Sequence, residues 1–493
     1  MIKELLSSKY LKYILIAFLI YMPIFGNLGE LPIRIWDESR LAINAIEMLN
    51  NGNFLVTYFD NQPDLWNTKP PLLIWCQVFF LKTIGLNELA IRLPSAIAAL
   101  LTLFSLLIFL KEYTLNFRLG FLVMLVLLTT TGYIGFHGTR TGDYDSMLTL
   151  FTTTNCLFFF LFIETNKIKY LYFFFITIVL AVLTKSIAGL LFLPAFLIYI
   201  IYQKKFFFIL KNKHIYFGTL FFLIMVLGYY LLIDYLNPTY IKHAIYNDIE
   251  GRFNSSLSWK YFNNWFYLNN MCNTNFKYWF FFVPFGLIIS YFQTNLLIKK
   301  ITAYSTILCS VHLLIISLSK SKLEWYCIPE YPFLAIIVGV GINSIFNFLN
   351  TLNWVKNKFY VLPFICIILL FSKPYYLVFN FANYPKKAYS YDEDYDKNFY
   401  TIGYYLQEAI KGNILLNNTS FIYDSYCPQN LFYIKILKNK GVNILFKDAK
   451  FLKNNEVVLS YKTSTEDYLI TNYNLELIAK NGSINKYKVI SKK

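Results

Sequence analysis

Ile35-Trp36-Asp37-Glu38-Ser39-Arg40-Leu41 sets two adjacent carboxylates and an arginine just after the first long apolar run of the chain, and nothing else so early is so polar. An acidic pair at the mouth of a membrane bundle costs on the order of several kcal/mol to desolvate unless it is partnered or opens onto water. Its position therefore calls for a reason.

That a bundle stands behind this stretch follows from composition. The 493 residues are 57% hydrophobic, 20% aromatic and only 15% charged, too apolar for a soluble protein. The net charge of +17 is the excess that membrane proteins gather in cytoplasmic loops. No basic patch is interleaved with stacking aromatics outside the spans, so no nucleic-acid partner is expected. The cysteines (Cys76, Cys156, Cys272, Cys309, Cys327, Cys366, Cys427) are scattered singly, with neither metal spacing nor a disulfide framework. The first apolar run follows Lys3, Lys9 and Lys12, continues to about Phe25 and lacks a small-residue cleavage site, so it reads as an anchor with a cytoplasmic N-terminus.

Downstream of Asp37 the outer loop runs over residues 26–89. It holds a helical-looking segment (Leu41, Ala45, Met48, Leu49) and then Asn67-Thr68-Lys69-Pro70-Pro71. Leu72 to Leu81 is apolar but too short to cross, which predicts an interfacial helix. Further apolar runs begin near Leu93, Leu119, Met147, Tyr170, Ile187, Ile215, Tyr278, Ile301, Cys327 and Tyr360, giving about eleven spans with the first. Alternating sides puts Lys111, Arg118, Lys167, Lys169, the stretch Lys204 to Lys213, Lys299, Lys300, Lys356 and Lys358 in the cytoplasm. The same count sends Asp37, Glu38, Asp60, Asp64, Glu88, Asp143, Asp145, Asp248, Glu250, Glu324 and Glu330 to the other face, where a second large loop spans 236–276. Past residue 380, short alternating runs separated by polar turns predict a small soluble domain. The expected fold is mainly α: a polytopic membrane helix bundle over 1–380 with periplasmic interfacial helices, and a periplasmic α/β or α+β domain over 381–493.

Several polar clusters fall on the outer side. Asp37-Glu38 suits a general base for an acceptor hydroxyl or a metal ligand; a cap on the following helix, by Asp37 or Ser39, is the plainer alternative. Lys69 just before two prolines joins a fixed cation to the positive end of a helix dipole, a phosphate site, or else snorkels. In His137-Gly138-Thr139-Arg140-Thr141-Gly142-Asp143-Tyr144-Asp145, glycines close a turn and Arg140, Asp143 and Asp145 face the same water as Asp37, unless a local Arg–Asp pair accounts for them. His137 has no second histidine at metal spacing and reads as an interfacial residue. Lys185 sits between two nearly fused apolar runs. Arg252 and Tyr326 lie in Asp248-Ile249-Glu250-Gly251-Arg252-Phe253 and in Ser319-Lys320-Ser321-Lys322-Leu323-Glu324-Trp325-Tyr326. Basic residues on an outer face break the positive-inside preference, and an anionic substrate is a reason to break it.

In this order, Trp36-Asp37-Glu38, Lys69-Pro70-Pro71-Leu72, Arg92-Leu93-Pro94, the turn Arg140 to Asp145, Thr184-Lys185-Ser186, and Lys322 to Tyr326 with Pro329 make the chain similar to the C-type glycosyltransferases. The branch is that of the aminoarabinose transferases of lipid A and the protein O-mannosyltransferases. The resemblance implies inverting transfer of a sugar from a polyprenyl-phosphate donor to an envelope lipid, glycan or protein hydroxyl on the periplasmic face of the inner membrane. It implies Asp37 as the leading acid, Lys69 as a phosphate ligand and Asp145 as the second acid, with Asp143 competing for that place. Glu38 joins the catalytic group, while Arg140, Lys185, Arg252 and Tyr326 join the donor-phosphate set. No organic cofactor is expected, and a divalent metal fits the acids. Membrane lipids surround the bundle. A lipid or glycolipid transporter or flippase is the alternative, but it calls for internal repeats and helices broken at mid-membrane. The sequence has its polar residues at loops on one face.

Overall fold

Asparagines start many of the helices. Asn87, Asn116, Asn212 and Asn295 each occupy the residue before an apolar helix and accept a backbone N–H of its first turn, satisfying donors that would otherwise be orphaned at the membrane edge. Part of the Asn-rich composition is thereby explained. The structure, a computed structural model, describes residues 9–254, 263–383, 393–422 and 426–493.

Seven helices among the described residues are long and apolar enough to cross a membrane: Glu88–Thr114, Asp145–Thr165, Ile168–Leu190, Lys213–Leu236, Leu296–Leu318, Glu324–Thr351 and Leu362–Asn383. The other expected runs form Lys9–Phe25 and the shorter helices Phe117–Leu128, Leu193–Tyr202 and Phe282–Phe292. The expectation of about eleven spans thus divides into full-length helices and shorter apolar ones. Their common core is built from Leu, Ile, Val and Phe, with Tyr133, Tyr304 and Trp279 fully buried among them.

The outer loops fold on top of this bundle. Helix Asp37–Asn51 has both acids in its first turn, at the positive end of its dipole, and ends where Gly52 (φ 71°) turns left-handed and its N–H donates to the Met48 carbonyl. The expected interfacial segment is helix Leu72–Ile84. It buries Leu73, Ile74, Gln77, Val78 and Leu81 and leaves Phe79 outward. A two-residue hairpin, β1 (Tyr58–Phe59) and β2 (Gln62–Pro63), lies between these helices.

The C-terminal part carries a mixed sheet of order β4-β3-β5-β7-β6, with β3 (Thr419–Ile422), β4 (Ile444–Lys447), β5 (Val457–Ser460), β6 (Tyr473–Asn481) and β7 (Ile484–Lys492). β3 runs parallel to β4 and β5, and β7 antiparallel to β5 and β6. Helix Pro428–Asn439, which joins β3 to β4, packs on helix Asp37–Asn51, and Lys435 Nζ lies 2.7 Å from Glu47 Oε1. Tyr433 of the same helix donates to Glu88 Oε1 (2.7 Å) and accepts the Ile33 N–H (2.8 Å). The sheet unit is fastened to the loop that bears Asp37.

Candidate active site

Glu38 and Arg92 form the framework of the end of the bundle that bears Asp37. The Glu38 carboxylate, 1% exposed, accepts Arg92 Nε (2.7 Å) and the Gly142 N–H (2.9 Å) on Oε1, and Arg92 Nη2 (3.0 Å) and the Arg34 N–H (2.8 Å) on Oε2. Arg92 also donates to the carbonyls of Leu28, Leu31 and Pro32. Burial alone would raise the Glu38 carboxyl, but the Arg92 charge and these hydrogen bonds leave it below its ordinary value. Three loop segments, 28–38, the start of Glu88–Thr114 and the turn at 142, converge on this one pair.

The turn 137–145 is held from several sides. Gln77 Nε2 donates to the Gly142 carbonyl (3.0 Å), Ser95 Oγ to that of Asp143 (2.9 Å), and Tyr144 Oη exchanges hydrogen bonds with the Asn67 amide. A side chain at Gly142 would lie 2.9 Å from the Ile91 carbonyl, so the approach admits glycine alone. The Arg140 guanidinium, 6% exposed, donates to the carbonyls of Pro23 and Gly26. It ties the turn to the end of the first helix and lines neither cavity described below.

Two cavities open between these elements. The first is mostly apolar, with Leu148, Ile187, Leu191 and Ile316 in its wall and Lys69, Asp145, Lys185, Asp248, His312, Ser319 and Tyr326 as its polar members. Within it Lys185 Nζ lies 2.6 Å from Asp145 Oδ1 and 5.8 Å from the Tyr326 ring centre. Lys185, at 9% exposure, is enclosed by the protein. The second cavity is polar and is lined by Asp37, Arg40, Trp66, Asn67, Lys69, Tyr144, Tyr246 and Asn247. Lys69, half-buried with its ammonium 5.6 Å from the Tyr144 ring centre, belongs to both.

Asp37 is the first residue of its helix, and the cap position falls to Trp36, whose side chain makes no cap hydrogen bond. Beside Asp37 lie His137 and Asp143, with one ligand atom of each of the three within 4.8 Å of the others. His137 is enclosed by protein: it is 4% exposed, its ring stacks on Trp325 at 3.5 Å, and its Nδ1 lies 3.1 Å from Asp143 Oδ2, within ion-pair range. Apart from that contact, both Asp143 oxygens are buried without a hydrogen bond. Burial pushes the Asp143 carboxyl above the ordinary carboxylate range; His137 pulls it down, and Asp37 and Glu38 push it further up. Two carboxylates and an imidazole, one carboxylate lacking hydrogen bonds, are a donor set that fits a divalent cation.

Of the residues singled out from the sequence, Asp37, Asp143 and His137 are brought together, and Lys69, Lys185, Asp145 and Tyr326 share the apolar cavity. Glu38 stands behind them on Arg92. The side chain of Arg252 lies outside the described residues. Arg40, Trp66 and Asn67 were given no role from sequence; only their place near Asp37 and Lys69 in the outer loop could have drawn attention to them.

Residues 68–230 match the family model described as dolichyl-phosphate-mannose-protein mannosyltransferase. A protein of Aquifex aeolicus (strain VF5), described only as uncharacterized, is 26% identical over 353 residues; the match covers 70% of this chain and 66%, just under two thirds, of that relative. Among solved structures, ArnT from Cupriavidus metallidurans bound to undecaprenyl phosphate superposes with a TM-score of 0.71 at 16% identity, covering 97% of each chain. The Archaeoglobus fulgidus oligosaccharyltransferase, in complex with Zn and sulfate, superposes with a TM-score of 0.53 at 11% identity, covering 89% of this chain and 62% of the other.

Proposed function

We propose that this chain, which has the fold of the C-type glycosyltransferases, transfers a sugar with inversion from a polyprenyl-phosphate donor to an envelope acceptor on the periplasmic face of the inner membrane. The observation that carries the reading is Lys69, a cation shared by an apolar cavity and a polar one that holds Asp37. A polyprenyl-phosphate sugar has the same division: an isoprenoid tail, a phosphate, and a sugar beyond it. The tail lies along Leu148, Leu191 and Ile316, the phosphate at Lys69 and Lys185, and the sugar toward Asp37.

In the reaction the bond from the anomeric carbon to the phosphate oxygen breaks and the electron pair leaves with the polyprenyl phosphate. Lys69 and Lys185 stabilise the charge that develops there, and Tyr326 completes the wall. The acceptor oxygen attacks from the opposite side and its proton passes to Asp37. Asp145 orients Lys185 through its 2.6 Å contact. Asp143 is the second acid beside Asp37, the reverse of the order favoured from sequence. Glu38 and Arg140 position the loops. A divalent cation held by Asp37, His137 and Asp143 would supply Lewis acidity toward the acceptor oxygen. Residues 1–380 form the transferase unit and 381–493 a periplasmic unit resting on it.

Asp37→Asn preserves shape and removes the charge, so transfer by the full-length protein in proteoliposomes should fall by a factor on the order of 100 or more. Binding of the lipid donor, held by cations elsewhere, should survive. A variant that inserts normally and transfers at the wild-type rate removes Asp37 from the reaction.

A further inference from the structure

Two large indoles stand exposed, one in the wall of the polar cavity and one next to Asp37 in the chain. Trp66, 63% exposed, lines the cavity beside Asp37 and Arg40, and Trp36, 59% exposed, directly precedes Asp37. Leaving such rings in water forgoes the stabilisation of burying them. Trp36 does so from a backbone with φ 72° and ψ −121°, a conformation that a bulky residue seldom adopts and that persists where the surroundings hold it. A tryptophan of a membrane protein often anchors at the headgroup level. Trp36 is placed differently: it stacks on Tyr426 of the C-terminal unit, with ring centres 5.2 Å apart and planes at 30°. Tyr426 in turn stacks on Phe59 at 6.3 Å.

The same cavity wall carries a guanidinium held in one orientation. Arg40 donates Nε and Nη2 to Asp64 (2.9 and 2.6 Å), donates Nη1 to the Tyr426 hydroxyl (3.3 Å), and lies 4.3 Å over the Phe59 ring. Its remaining N–H groups belong to a side chain that lines the same cavity as Asp37.

We propose that the acceptor is a saccharide, with sugar rings stacked on Trp66 and Trp36 and a ring hydroxyl held by Arg40, and that Tyr426 makes the C-terminal unit a positioning element of this acceptor subsite. The inference rests on the glycosyltransferase reading above. A pyranose has a C–H face and a rim of hydroxyls, the complement of an aromatic plate with N–H donors at its edge. One way to hold a peptide acceptor is along a free strand edge. The only strands beside this cavity among the described residues, β1 and β2, are two residues long and pair with each other. One saccharide hydroxyl oxygen forms the new bond to the anomeric carbon as the phosphate leaves with its electron pair, and that hydroxyl's proton goes to Asp37.

The test uses the full-length protein in nanodiscs with the polyprenyl-phosphate-sugar fraction extracted from native membranes. The probes are fluorescently tagged maltotriose, chitotriose and mannotriose, and a tagged Ser/Thr-rich peptide. Released polyprenyl phosphate and tagged product are both measured. The expected result is product on a trisaccharide, with Trp66→Ala raising the acceptor KM about three- to tenfold while the donor KM stays unchanged. Tyr426→Phe, which keeps the stack and loses the hydrogen bond to Arg40, should give a smaller rise in the same constant. Trp36→Ala is read beside Trp66→Ala, because losing the stack on Tyr426 can loosen the fold. Product on the peptide and on no trisaccharide overturns the proposal while leaving the transferase reading intact. So does a Trp66→Ala protein whose donor KM rises as much as its acceptor KM. No polyprenyl phosphate released with any probe overturns both.

Discussion

Replacing Glu38 by Gln should damage the fold before it touches the chemistry. Each carboxylate oxygen accepts one backbone N–H and one guanidinium N–H: Gly142 and Arg92 Nε on Oε1, Arg34 and Arg92 Nη2 on Oε2. A carboxamide has one acceptor oxygen and one donor nitrogen, so whichever way it is turned its NH₂ faces two donors. Two hydrogen bonds are lost, and the Arg92 guanidinium, 2% exposed, loses the Glu38 carboxylate that faces it. Breaking a buried pair from one side costs about 3–5 kcal/mol, a large share of the roughly 5–15 kcal/mol that holds a domain together. Detergent-solubilised protein heated in steps and passed over a fluorescence-detected sizing column should show a midpoint many degrees below wild type. Glu38→Leu combined with Arg92→Met, which removes both charges, should recover much of the loss. The pH dependence follows from the same pair. The folded Glu38 carboxyl lies below its unfolded value, so its contribution is fully present at neutral pH and is lost as pH falls through the folded value. The Gln variant should therefore lose its disadvantage only in acid. A Glu38→Gln protein that melts with wild type yet no longer transfers sugar would refute the reasoning, because the carboxylate would then act in the reaction.

Asp143→Asn should have the opposite effect on stability. The folded carboxyl is raised, so burying it weakens the fold increasingly as pH climbs from the unfolded value through the folded one; in chelator-treated protein the variant should melt at or above wild type at neutral pH, converge with it near pH 4, and still lose transfer. Lys69→Ala should raise the donor KM strongly while Lys82→Ala, at the far end of helix Leu72–Ile84, stays near wild type; equal effects in steady-state kinetics would mean that Lys69 only seats the helix. For topology, a reporter fused after Lys213 should be cytoplasmic and one after Lys493 periplasmic, and finding both on one side ends the outer-face site.

Much of this was legible because membrane insertion writes its constraints locally. Apolar runs, the lysines between them and the acids on the other face are readable within windows of about twenty residues, and the segments holding Asp37, Lys69 and Asp145 were found that way. What was not legible depends on contacts between distant segments. The Glu38–Arg92 pair spans 54 positions and the Arg40–Tyr426 bond 386, with no period or spacing to announce either. The choice between Asp143 and Asp145 was not legible for a related reason. They are two residues apart at the end of a glycine-containing turn, where one faces His137 and Asp37 while the other begins a helix and reaches Lys185. The neighbours of His137 were not legible because a search for a second histidine overlooks two carboxylates brought in by the fold.

One ammonium group bordering two chambers makes their contents thermodynamically interdependent. A phosphate drawn to Lys69 from the apolar side changes the field felt in the chamber that holds Asp37, and a ligand there changes the affinity for the phosphate by the same factor. On the proposed reading, substrate addition has a preferred order set by electrostatics: lipid donor first, since its phosphate is the anion that meets this lysine. On that reading the spent carrier carries more negative charge than the donor did and grips the same lysine harder, so its departure is governed by the residue that admitted it.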